Sequence, residues 1–191
     1  MYVLTLLASG SSLQIAGGGM MSFLSPSPEA LYLFGMSGAL PVFQLGWWWT
    51  LFTATWLHGN LLHIVFNMMW VRDLGSAMVD FVGTSRTIII YTVSGACGFL
   101  LSSVAGVALS GVPIPLLHGA SNTVGASAAI FGLLGAMVHY GRKGGGSSFV
   151  YSTAMRYAVI LFIFGLIMPG VDNFAHAGGF VGGYATSAFL K

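Results

Sequence analysis

From Thr87 to Leu109 the chain carries no charged side chain, and apolar runs of this kind recur from one end to the other. Segments this long and this poor in charge belong in lipid, where a helix satisfies its own backbone hydrogen bonds. Charged residues make up 5% of the chain and hydrophobic ones 56%, against about 25% charged in soluble proteins. The sequence therefore reads as an integral membrane protein, with residues 1–191 forming one membrane domain. A formal net charge of +2 is too small to argue for nucleic acid. The single cysteine, Cys97, lies inside an apolar run, so neither a disulfide framework nor a cysteine-based metal site is expected. No cofactor is called for.

Six spans are expected. The first, over 2–23, is imperfect, being cut by Ser9-Gly10-Ser11-Ser12 and Gly17-Gly18-Gly19. It lacks the basic n-region of a signal peptide, because the first 71 residues contain no Lys or Arg. Ser25-Pro26-Ser27-Pro28 then breaks the chain. Glu29 to Trp56 is too interrupted to span and too apolar for an open loop. With Trp47-Trp48-Trp49 at its centre it suits the membrane–water interface, where aromatic residues concentrate. The remaining spans are expected over 57–78, 87–109, 125–140, 154–168 and 173–190. The fourth is short for a hydrocarbon core of about 30 Å.

Charge placement supports this count. With the N-terminus inside, six alternating spans put Arg72, Arg86, Arg142, Lys143, Arg156 and Lys191 on or toward the inner side, and Glu29 and Asp172 outside. That is the positive-inside pattern. Five or seven spans would spoil it.

The same topology brings polar residues to one depth. The second span runs inward and carries His63 and Asn67 in its outer half, on one helix face at i, i+4 spacing. The fourth and sixth spans also enter from outside, placing Ser127 and His176 near their outer ends. Singly, each has an ordinary explanation. Ser127 could serve helix packing and Asn67 an interhelical hydrogen bond, and His176 could cap a close contact among Ala175, Ala177, Gly178 and Gly179. His58 reads as interfacial at the mouth of the second span. His139 reads as snorkelling at the inner end of the fourth, and His118 as a loop residue without a role. Polar groups from three helices at one depth nevertheless point to function.

Nucleophilic catalysis is the chemistry that suits them. A serine hydroxyl needs a neighbouring base, which a histidine on a facing helix supplies. The tetrahedral intermediate needs donors for its oxyanion. Asn67, His63 and the Ser127 backbone N–H are the candidates. No carboxylate is well placed at this depth, so a Ser127–His176 dyad is expected, with Asp172 a remote alternative for orienting the ring.

The segments Gly46-Trp47-Trp48-Trp49-Thr50, His58 to Asn67, Gly125-Ala126-Ser127 and Ala175-His176-Ala177-Gly178-Gly179 resemble the rhomboid intramembrane serine proteases, in the family's order. The resemblance runs from about Gly46 to Lys191. It implies an all-α, six-transmembrane-helix bundle with an interfacial first loop, a Ser127–His176 dyad and a water-filled cavity open to the outer side. Gly125 belongs to the motif at the serine, and Gly179 and Gly183 match the small positions that let the sixth helix pack on the fourth. It implies an endopeptidase for transmembrane protein substrates within the lipid bilayer, cutting after a small residue and before a helix-destabilising stretch. A bacterial inner membrane is the expected location. Three positions depart from the family's pattern: Ala128 follows the serine, Thr50 stands in place of arginine, and Val79 stands where an acid is usual, with Asp80 beside it.

Other functions find less support in the sequence. The chain has no H-E-x-x-H zinc motif and no mid-membrane pair of aspartates. A haem or metal protein could use His63 and His176 as axial ligands. A catalytically inactive relative would bind membrane-protein clients only, but such relatives are expected to lose the serine or the histidine. A transporter would show internal repeats and broken midplane helices, and none is evident.

Overall fold

The computed structural model describes residues 1–13, 22–112, 119–142 and 148–190. All regular structure among the described residues is helical. Three short helices, α1 (Tyr2–Ser9), α2 (Pro28–Leu33) and α3 (Thr50–Thr53), precede five long ones. These are α4 (Leu61–Val82), α5 (Thr84–Ala108), α6 (Ser127–Arg142), α7 (Ser148–Ile167) and α8 (Asn173–Phe189).

Local chemistry sets the helix ends. The Asn60 side chain accepts from the His63 N–H at 2.8 Å and starts α4, one of the orphan donors of a first turn. Gly83, at φ +87°, ends α4 and leads directly into α5. Only glycine takes that backbone conformation freely. Pro169 and Gly170 follow α7, and Asp172 caps α8 by accepting from the Ala175 N–H at 3.0 Å.

The bundle is arranged around α6. Every residue from Ala128 to Ala136 is buried, and α4, α5, α7 and α8 all pack against it. Its 16 residues rise about 24 Å. It is flanked by longer helices, starts just after the buried Gly125 and Ala126, and ends at the exposed Arg142. Backbones come close where side chains vanish. A Cβ on Gly179 would lie 2.0 Å from the Ala128 carbonyl oxygen, and one on Gly183 would lie 1.9 Å from that of Gly132.

The outside of the bundle is apolar and its inside holds polar groups. Ile88, Ile89, Val104, Val159, Ile160, Phe164 and Val181 are exposed, while Ser94, Ser102, Ser103, Asn67 and His139 are buried. An apolar surface of that extent suits contact with lipid. Among the described residues two helices, α5 and α7, are long and apolar enough to cross a membrane on length and composition alone. The helices α6 and α8 are shorter, and α4 carries Arg72, Asp73 and Asp80.

Helix bounds differ from the expected spans in instructive ways. The expected first span over 2–23 falls partly outside the described residues. Its described helix, α1, rises only about 12 Å, so it does not cross by itself. The Tyr2 hydroxyl donates to the Leu24 carbonyl, and the Ser9 hydroxyl accepts from the Ser27 N–H at 2.8 Å, bringing the chain back beside α1. The second span's helix begins four residues later than expected, because Leu57 and Asn60 have extended backbone, the chain bends at Gly59, and Asn60 is the cap. The fifth begins six residues earlier, since nothing in Ser148–Thr153 opposes a helix.

Residues 24–56 form short helical pieces laid against the bundle. Ser27 caps α2. The Glu29 backbone N–H, followed by the Ser27 hydroxyl, holds the Glu29 carboxyl below the usual carboxylate range. A two-way backbone pairing of Ser37 with Thr123, at 3.1 and 2.7 Å, ties this segment to the approach of α6. Met36, Val42, Leu51, Ala54 and Leu57 face inward, while Phe43, Trp48, Trp49, Phe52 and Trp56 are exposed. Thr50 is fully buried; its hydroxyl donates to the Trp47 carbonyl at 2.7 Å and lies 3.3 Å from that of Ser37.

Candidate active site

Ser127 is the first residue of α6, so its backbone N–H has no acceptor within the helix. Its Oγ lies 3.0 Å from His176 Nε2, across 49 residues of sequence. The contact depends on glycines: with α8 seated on α6 through Gly179 and Gly183, the first turns of the two helices face each other. Ala128 finds room because α5 presents Gly98 to it, where a Cβ would come within 2.7 Å of the Ala128 methyl.

His176 is buried and held from two sides. The Phe131 ring stacks on it, with centroids 4.2 Å apart and planes 13° from parallel. Its Nδ1 lies 3.2 Å from Asn173 Oδ1. Neither neighbour was expected from the sequence. The available signal was spacing: Phe131 is one turn beyond Ser127 on α6, and Asn173 is one turn before His176 on α8, so each shares a face with its partner.

His63 is in the first turn of α4. Its Nδ1 accepts from the Gly59 N–H at 3.4 Å, which leaves the proton of a neutral ring on Nε2. That nitrogen faces Gly125, where a Cβ would sit 2.6 Å away. Gly125 has φ +132° and is the point at which the chain turns into α6 while letting the His63 ring approach. Asn67, one turn further along α4, is buried and donates one amide N–H to the His63 carbonyl at 2.8 Å.

The other polar residues singled out from the sequence make contacts of their own. Asp172 does not touch the His176 ring. One carboxylate oxygen accepts from the Ala175 N–H and the other from the Ser102 hydroxyl at 2.6 Å, so it joins α8 to α5. His58, expected at the interface, is 2% exposed and packs edge-on to His63 at 5.1 Å. Deep burial also corrects the reading of His139 as snorkelling: its ring sits edge-on to Tyr140 and Tyr184. His118 lies outside the described residues. Of the two histidines that could be axial ligands to a haem, His176 turns Nε2 to Ser127 and Nδ1 to Asn173 Oδ1.

Comparison with known proteins covers the same residues. The family model for the Rhomboid domain matches residues 45–191. RHOMBOID-like protein 7 of Arabidopsis thaliana is 35% identical over 176 residues, covering 87% of this chain and 50% of its own length. Rhomboid protease GluP of Bacillus subtilis is 32% identical over 181 residues, covering 93% of this chain and 32% of its own length. Rhomboid-like protease 3 of Toxoplasma gondii is 28% identical over 171 residues, covering 87% and 60% respectively. The chain spans about half the length or less of the first two relatives. Since the family match takes in Ser127, His176, His63, Asn67, Phe131 and Asn173 together, the chain belongs to the rhomboid family of integral membrane proteins.

Proposed function

We propose that this chain is an intramembrane serine endopeptidase working through a Ser127–His176 dyad on transmembrane protein substrates. One observation carries the reading: a serine hydroxyl and an imidazole nitrogen from different helices lie 3.0 Å apart inside an apolar bundle. The pairing is what nucleophilic activation requires.

In the proposed mechanism a substrate segment unwinds beside the N-terminus of α6 and presents a carbonyl carbon to Ser127 Oγ. As the C–O bond forms, the hydroxyl proton passes to His176 Nε2. The oxyanion is met by the Ser127 N–H, the His63 Nε2–H and the second amide N–H of Asn67. The C–N bond then breaks, His176 returns the proton to the leaving amine, and water hydrolyses the acyl-enzyme by the same steps in reverse order. Gly125 admits His63 to the oxyanion position, and Gly179 and Gly183 bring His176 to the serine. The charge pattern favours an orientation with this site toward the outer side of the membrane.

The test is cleavage of a transmembrane substrate in liposomes by wild type, Ser127→Ala and His176→Ala. Both variants are expected to fall to background, a loss of at least about 10³-fold. A fluorophosphonate probe is expected to label wild type at Ser127. Cleavage by either variant at the wild-type rate overturns the dyad. A folded wild type that neither cleaves nor takes the probe points to a family member that only binds its clients.

A further inference from the structure

We infer that Asn173 is the positioning residue that sets the tautomer of His176, and that a notch at Gly165 of α7 seats it. The inference rests on the reading of His176 as the base. A neutral imidazole has one N–H, and a base for Ser127 must keep the lone pair on Nε2. An amide oxygen only accepts hydrogen bonds. With Asn173 Oδ1 3.2 Å from Nδ1, the proton is held on Nδ1 and Nε2 is left to receive the serine hydroxyl at 3.0 Å. The opposite tautomer would present an N–H to Ser127 and could not take its proton.

The neighbouring carboxylate cannot fill this role. Both oxygens of Asp172 are engaged, by the Ala175 N–H and by Ser102 on α5. Asn173, by contrast, turns its amide between the histidine and α7. A Cβ on Gly165 would lie 2.4 Å from Asn173 Oδ1 and 3.1 Å from its Cγ. The missing side chain on α7 is therefore the space the amide occupies. Gly165 is one of only three residues of α7 that are buried. Through it, α7 acts on the base by way of Asn173. A neutral amide also orients the ring without placing an unpaired charge in an apolar bundle.

The experiment is ¹⁵N NMR of the full chain with labelled histidine, the His176 ring signals being assigned by their loss in His176→Ala. In wild type, Nδ1 is expected to be protonated and Nε2 bare. Asn173→Ala and Gly165→Ala are each expected to shift the ring toward Nε2–H. Each should also lower kcat by about 10- to 100-fold with KM little changed. Asn173→Asp should restore the Nδ1–H and move the acidic limb of the pH–rate profile upward, since a carboxylate favours the imidazolium. A wild-type ring protonated on Nε2 overturns the inference. So does an Asn173→Ala protein, folded by its thermal transition, with an unchanged tautomer and pH profile. The ring signals are also read in Ser127→Ala, which cannot cleave, so failure of the protease reading and failure of this one are separate results.

Discussion

Phe131 shows how a side chain with no reactive group can matter to a reaction. Stacked on His176 at 4.2 Å, it covers one face of the ring and limits rotation that would carry Nε2 away from Ser127. An aromatic pair of this kind contributes about 0.5–1.5 kcal/mol beyond the area it buries. Phe131→Leu keeps an apolar side chain but loses the stack. Cleavage is expected to fall up to about tenfold, with fluorophosphonate labelling slowing in parallel. Equal labelling rates in the two proteins would show that the stack does not position the base. This contact was not legible in the sequence, because an aromatic one turn from Ser127 looks the same whether it meets lipid, another helix or an imidazole.

At the scale of elements, α8 is set by its cap and its glycines. Asp172 closes the first turn of α8 and reaches Ser102 on α5, whose hydroxyl also accepts from the Ala120 N–H at 3.1 Å. Asp172→Ala should therefore destabilise the protein, by about 1–3 kcal/mol, and lower its thermal midpoint in detergent. Below that midpoint, fluorophosphonate labelling of Ser127 should match wild type, because no bond to His176 is lost. Slow labelling with an unchanged midpoint would make Asp172 part of the dyad's support instead. Sequence spacing alone could not separate these roles. Asp172 is four residues before His176 and Asn173 is three, and either lies on a face that could meet the ring.

For the whole molecule the question is how the bundle sits in the bilayer. The ends of α5 and α6 give a direct test, since Ser110 and Arg142 are both exposed. In a Cys97→Ser background, Ser110→Cys should react with an impermeant maleimide on intact cells. Arg142→Cys should react only after permeabilisation. Equal reaction of both on intact cells would overturn the six-span orientation.

Long runs without charge, their Gly and Pro breaks and the placement of basic residues made the membrane class and five long helices readable, because solvation by lipid acts on each segment separately. Ser127, His176, His63 and Asn67 could be named as candidates because alternating spans set their depth before any packing is known. Depth does not set azimuth or distance. The 3.0 Å approach of Ser127 to His176, the hold of Asn173 and Phe131 on the ring, and the burial of His58 and His139 arise from how α8 and α4 are rotated against α6. That rotation is decided by backbone-to-backbone contact at Gly179 and Gly183 and by the turn at Gly125. Close packing of this kind is a property of several segments at once, which is why only the tertiary structure could decide it.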